Sequence, residues 1–199
     1  MTRRKLIEVS LPLEDINRAL KAEKARKVGK PQHIHHWWAR RPITAARAVL
    51  FAQLVDDPSS NPDRFPTEAS VRRERARLHD LIRRLIQWDA VNDRALMREA
   101  HAEIVASMGT APTVLDPFTG GGAIPIEAQR LGLGVEASDL NPVAAILTRA
   151  LVEIPPRFAG NPPVSPSSAG RDLNTWPGAT GLAEDVRRYG ELLRERAKV

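Results

Sequence analysis

Residues Val114-Leu115-Asp116-Pro117-Phe118-Thr119-Gly120-Gly121-Gly122 decide how this chain is read. A short apolar run ends in Asp116-Pro117, three glycines follow, and an amphipathic run extends from Ala123 to Leu131. That order reads as strand, tight loop, helix. Seventeen residues after Gly122, at the end of a second short apolar stretch, stands Asp139. A nucleotide-like ligand suits this arrangement, because glycines let the backbone approach closely and the second carboxylate accepts hydrogen bonds from ribose hydroxyls. Counted from Gly120, the third glycine position of the dinucleotide fingerprint holds Pro125. Proline suits the first turn of a helix but does not provide the close helix–strand contact that glycine allows there. No Gly-Lys-Ser/Thr is present, which excludes a P-loop.

The rest of the composition bounds the answer. At 199 residues, 42% hydrophobic and 27% charged, the chain has the make-up of a soluble globular protein of one domain or a compact domain with an appended helical part. No apolar run approaches the length of a transmembrane helix, and the basic start, Arg3-Arg4-Lys5, leads to Glu8 instead of an apolar signal segment. With no cysteine there is no disulfide, thiol or cysteine–zinc chemistry. The expected location is cytoplasmic, with no membrane partner. Charge is uneven: residues 1–50 carry 12 Lys/Arg against 4 Asp/Glu, whereas residues 51–110 and 111–199 each carry 9 against 10. Such an excess reads either as a phosphate-contacting arm or as a solvated helix face around Arg18, Lys21, Lys24, Lys27 and Lys30.

Periodicity predicts a helix over residues 13–27, a buried helix over 44–55, and two helices within 67–108. Strands are expected at 113–116 and 133–138, with a third at 151–154. Helices are expected at 123–131, ended by Gly132, and after Asn141, which reads as an N-cap with Val143, Ile146 and Leu147 on the buried face. Residues 155–178 hold six of the sixteen prolines and read as an extended loop before a last helix at about 182–197. Four regions follow: 1–56, a basic helical segment; 57–110, a helical insertion; 111–154, a βαβα core; and 155–199, a proline-rich loop and terminal helix.

Asp116 to Gly122 resembles motif I of the amino-methylating DNA methyltransferases, Asp-Pro-Phe-x-Gly-x-Gly, whose ligand is S-adenosylmethionine. Residues 5–14, Lys-Leu-Ile-Glu-Val-Ser-Leu-Pro-Leu-Glu, resemble one bacterial family, the DUF1156-containing, adenine-specific type DNA methylases. So do His36-Trp37-Trp38-Ala39-Arg40-Arg41-Pro42 and Ala137-Ser138-Asp139-Leu140-Asn141-Pro142, and the resemblance runs in order from about residue 5 to about residue 195. It implies an α/β fold: a partial Rossmann-like methyltransferase sheet of two or three βα units, preceded by an α-helical N-terminal region. It further implies that Asp116, Phe118, Thr119, Gly120, Gly121 and Gly122 line the methionine end of S-adenosylmethionine, and that Asp139 takes the ribose hydroxyls. DNA is the implied partner and adenine-N6 methylation the implied chemistry.

Three further features qualify that expectation. The segment holding Trp37, Trp38, Arg40 and Arg41 reads as a part packed against the cofactor, as a DNA surface with the arginines on phosphates and a tryptophan on a base, or as a core tryptophan pair. His33, His35 and His36 lie too close together on one short segment, without a nearby Asp, Glu or Cys, to converge on one ion, so no metal is expected. Asn161-Pro162-Pro163-Val164 imitates the Asn/Asp-Pro-Pro-Tyr/Phe tetrapeptide of amino-methyltransferases, but Val164 cannot stack on a flipped base and the segment comes only 22 residues after Asp139. No catalytic residue is therefore expected within the sequence. The resemblance then implies the N-terminal part of a longer methylase, inactive without its remainder or a partner subunit. The alternative from another class is a non-catalytic DNA-binding or assembly subunit. A dinucleotide oxidoreductase is disfavoured by Pro125 and the Asp-Pro-Phe start.

Overall fold

In the computed structural model, residues 3–26, 29–37, 39–165 and 175–198 are described. They form a mixed α/β, mostly helical structure with a two-stranded parallel sheet. The chain divides into two units, Met1–Thr148 and Arg149–Val199.

In the first unit, a short α1 (Leu6–Val9) is followed by α2 (Leu13–Ala25), which carries Glu14 and Asp15 in its first turn, where carboxylates favour the helix dipole. The next helix, α3 (Ile43–Leu54), is buried on nearly every side, as its apolar sequence requires: Ala48, Phe51 and Ala52 are inaccessible to solvent. Its N-terminus begins after Pro42 without a side-chain cap from its own segment. Glu23 of α2 supplies one instead, accepting from Ile43 N and Thr44 N, both at 3.0 Å, and from Thr44 Oγ1 at 2.7 Å. The N-terminal run grips the other end of α3, with Leu6 N donating to Val55 O and Lys5 Nζ to Asp56 Oδ1 at 2.6 Å.

The amphipathic pair α4 (Glu68–Leu85) and α5 (Arg94–Met108) forms where periodicity placed it. Thr67 and Asp93 cap the two helices through Ser70 N and through Ala95 N and Leu96 N. Their buried faces, Leu78, Leu81, Ile82 and Leu85 on one and Leu96, Ala100 and Ile104 on the other, join Leu6 and Phe51 in one core.

The sheet pairs β1 (Thr113–Asp116) with β2 (Gly134–Ala137), Thr113 opposite Gly134 and Asp116 opposite Ala137. The crossover helix α6 (Ala123–Arg130) contacts both strands on one side and α3 on another, so it is covered more completely than an amphipathic surface helix. Gly132, at φ +75°, closes α6 with Gly132 N donating to Gln129 O and Leu133 N to Ala128 O. These are the two bonds of a Schellman termination. The covering of α6 creates a problem that the fold answers with an ion pair. Glu127 of α6 is fully buried and meets the equally buried Arg47 of α3, Nε to Oε2, at 2.5 Å. Arg47 also donates to Leu85 O at 2.6 Å, so one guanidinium joins α3, α4 and α6.

After β2, Asn141 caps α7 (Pro142–Thr148) by accepting from Val143 N at 3.0 Å. The expected buried face is corrected: Val143 and Ile146 are exposed, and Ala144, Leu147 and Thr148 are buried. Capping fixed the start of this short helix, but one face is chosen by what packs against it.

In the second unit, the expected third strand at 151–154 is also corrected. Arg149–Glu153 forms a wide π turn, and α8 (Ile154–Arg157) follows. Glu153 pairs with Arg149 and Arg157 four residues to either side, a spacing that stabilises helix and is useless to a strand. Pro155 sits in the first turn of α8, where its missing N–H has no helical partner to lose, so the expected loop starts later than 155. The last helix, α9, spans Thr180–Arg196.

Candidate functional site

The segment from β1 to α7 builds a small nest of backbone bonds around the glycine loop. Gly120 and Gly122 take φ values of +50° and +75°, the left-handed region that other residues enter at a cost of about 1–2 kcal/mol. These two turns redirect the chain from β1 into α6, and Gly122 is the N-cap residue of that helix. Asp116 accepts from Phe118 N at 3.2 Å, and Thr119 N donates to Ser138 O at 3.1 Å, tying the loop to the end of β2.

Asp139 completes the nest. Its Oδ2 accepts from Gly120 N at 2.9 Å and its Oδ1 from Asn141 N at 2.8 Å. These bonds, that of Asn141 first and that of Gly120 second, hold the carboxyl below the usual carboxylate range. The group therefore stays ionised at neutral pH. A carboxylate has about four acceptor positions, so two backbone bonds leave room for further donors. Sequence spacing marked Asp139 as an expected ligand residue; what the structure shows is that it holds the loop in shape.

Of the sequence-derived site residues, Asp116, Thr119, Gly120, Gly121, Gly122 and Asp139 converge on this nest, and Phe118 stands at its rim, 75% exposed. Thr119 is buried, and its Oγ1 has no hydrogen-bond partner among the described residues. Trp37 is brought to the same place from 83 residues earlier in the chain: a Cβ added at Gly120 would lie 3.0 Å from Trp37 Nε1, and one at Gly121 would lie 3.8 Å from the Trp37 side chain. Gly120 thus serves both the turn and the close approach of the indole. Trp38 lies outside the described residues. Arg40 is held by its own segment, with Nε donating to Trp37 O at 2.8 Å and Nη2 lying 2.9 Å from His36 Nδ1. Arg40 and Arg41 line a separate cavity beside α2.

Residues 10–81 match the DUF1156 family model. The family is described as a protein of unknown function, and the matched segment contains α2, the His36–Pro42 motif, α3 and most of α4. The expected DUF1156 resemblance is therefore met over that segment. No curated protein and no solved structure matches the chain.

Among the described residues, no group of three or more His, Asp or Glu is arranged to hold a metal ion. Asn161 to Val164 is fastened to α9: Val164 N and Ser165 N donate to Asp185, the latter at 2.8 Å, and Gly181 packs directly on the Asn161 backbone. Sequence reasoning missed Asp185, and also Arg47 and Glu127. The signal for Arg47 was available: an arginine inside an otherwise apolar helix has to find a buried partner.

Proposed function

We propose that residues 113–141 form the S-adenosylmethionine site of a Rossmann-like methyltransferase fold, and that the chain is the cofactor-binding, N-terminal portion of an adenine-N6 type DNA methyltransferase. The observation that carries this reading is the nest itself. A parallel strand leads through two left-handed glycines into a helix N-terminus, and the carboxylate at the end of the neighbouring strand reaches back to Gly120 N. The residues fit the group. Thr119 Oγ1 is buried without a hydrogen-bond partner among the described residues, Phe118 offers an exposed ring, and Asp139 has acceptor positions to spare.

In this reading Asp139 would accept from the ribose hydroxyls, and the positive end of α6 would favour the ligand's carboxylate. Trp37 lies against Gly120 and Gly121 of the loop. Bound S-adenosylmethionine supplies an electrophilic methyl group, and the chain's own residues bind and orient it. No Asn/Asp-Pro-Pro-Tyr/Phe occurs in the sequence to receive a flipped base, so the chain alone is expected to transfer no methyl group to DNA.

Calorimetric titration with S-adenosylmethionine tests the site. Replacing an ionised acceptor of two hydroxyls removes charge-assisted hydrogen bonds, so Asp139→Ala is expected to weaken binding by at least about tenfold. Wild-type protein that binds no S-adenosylmethionine, or a folded Asp139→Ala protein with unchanged affinity, sinks the assignment. A second reading, a DNA-binding subunit without cofactor, is favoured by Lys21, Lys24, Lys30, Arg40 and Arg41, which pair with no carboxylate among the described residues. It predicts DNA binding with no thermal shift from S-adenosylmethionine.

A further inference from the structure

Five of the six arginines of α4 are used structurally: Arg72, Arg75, Arg77, Arg83 and Arg84 each meet a carboxylate. Beside α2 the pattern is reversed. A cavity of about 340 Å³ is lined by Lys21, Lys24, Lys30, Arg40 and Arg41, with Glu23 in its wall. Among the described residues, no carboxylate pairs with any of the five cations. The single acidic side chain of the lining is turned to another task, because both oxygens of Glu23 accept from the first turn of α3. Five cationic residues border one concavity, and at physiological salt their mutual repulsion decays over about 8 Å, so an anion held among them relieves the part of that repulsion that screening leaves. Arg40 is also already oriented by Trp37 O and His36, which lowers the entropy lost when its planar fork meets an oxyanion.

We infer that the cavity lined by Lys21, Lys24, Lys30, Arg40 and Arg41 is a phosphate-binding site, taking a phosphate ester of a nucleic acid backbone or of a free nucleotide. This rests on the nucleic-acid half of the proposed function and is independent of the cofactor half. The segment from His36 to Arg41 serves both places: Trp37 lies on the glycine loop, and Arg40 and Arg41 line the phosphate cavity. A strand held by this site is thereby brought to the segment that covers the proposed cofactor loop.

The test compares two double variants of equal charge loss, Lys21→Ala/Lys24→Ala in the cavity and Arg73→Ala/Arg98→Ala on exposed faces of α4 and α5 that lack ion pairs among the described residues. Binding is measured to a labelled DNA duplex by anisotropy across a salt series and to AMP by calorimetry at fixed ionic strength, with S-adenosylmethionine affinity measured separately. The cavity variant is expected to lose about tenfold in duplex affinity and to lower the salt slope by about two, while the control changes little. Duplex affinity that falls equally in both variants overturns the site and leaves general electrostatic binding. AMP binding that is lost only in the cavity variant, without duplex binding, supports the site with a free nucleotide as its source and defeats the DNA reading. Wild-type protein that binds neither duplex nor AMP overturns both. None of these outcomes depends on whether S-adenosylmethionine binds.

Discussion

The helical layer around α3 and the sheet of β1 and β2 bury apolar residues very differently. Leu6, Phe51, Leu81, Ile82, Leu85 and Ile104 are sealed from solvent, whereas Leu115 in the middle of β1 is 67% exposed and Leu140, beside Asp139, is 93% exposed. Parallel sheets are normally covered on both faces. Here α6 covers one face and joins it to the helical core through Ala128 and Leu131. Stability therefore resides in the helices, and the sheet's other face and the glycine loop contribute surface instead of core. Changes in the helices should unfold the protein, and changes at the loop should alter what it binds.

The largest expected effect tests the joint between the two regions. Arg47→Met removes the α3 partner of the buried Glu127 and leaves its carboxylate to Arg130 of the same helix, which is expected to cost about 3 kcal/mol in urea unfolding. The double variant Arg47→Met/Glu127→Leu is expected to regain most of that loss, because two apolar side chains need no partner. A loss under about 1 kcal/mol in the single variant would mean that Arg130 alone satisfies Glu127 and that the Arg47 pair does not secure the joint. The same truncation made in each region comes next. Leu81→Ala should cost about 2–5 kcal/mol and Leu115→Ala less than about 1 kcal/mol, so equal losses would erase the contrast.

The smallest effect is one of pH. Asp57 is sealed beneath α4; burial pushes its carboxyl up, but hydrogen bonds from Arg75 and Ser59 outweigh this and hold it below the ordinary value. A carboxyl depressed in the folded state contributes stability that is fully present above its unfolded value of about 3.9 and is lost as pH falls through the lower folded value. Wild-type stability is thus expected to decline more steeply below about pH 4 than that of Asp57→Asn. Parallel acid-unfolding curves for the two proteins would remove Asp57 from the account.

Several elements were legible because their causes are local. The strand at 113–116, the glycine turn, the Schellman end at Gly132 and the Asn141 cap each depend on residues within one turn of each other. The strand expected at 151–154 failed for a local reason that was overlooked, the Arg149–Glu153–Arg157 ladder. The buried face of α7 failed for a tertiary one, since its start was marked by Asn141 but its neighbours were not.

By itself the sequence determined the order strand, glycine loop, helix, strand, the acidic residue that closes it, and the excess of positive charge in the first quarter. Apolar periodicity, turn chemistry and composition act over a few residues, so they can be read in one dimension. Only the tertiary structure decided that Trp37 lies against Gly120, that Arg47 meets Glu127 eighty positions away, and that five cationic residues line one cavity without pairing to a carboxylate among the described residues. Those facts depend on which faces meet once the helices close around α3, and burial then dictates that a charge find a partner while exposure leaves it free to wait for a ligand.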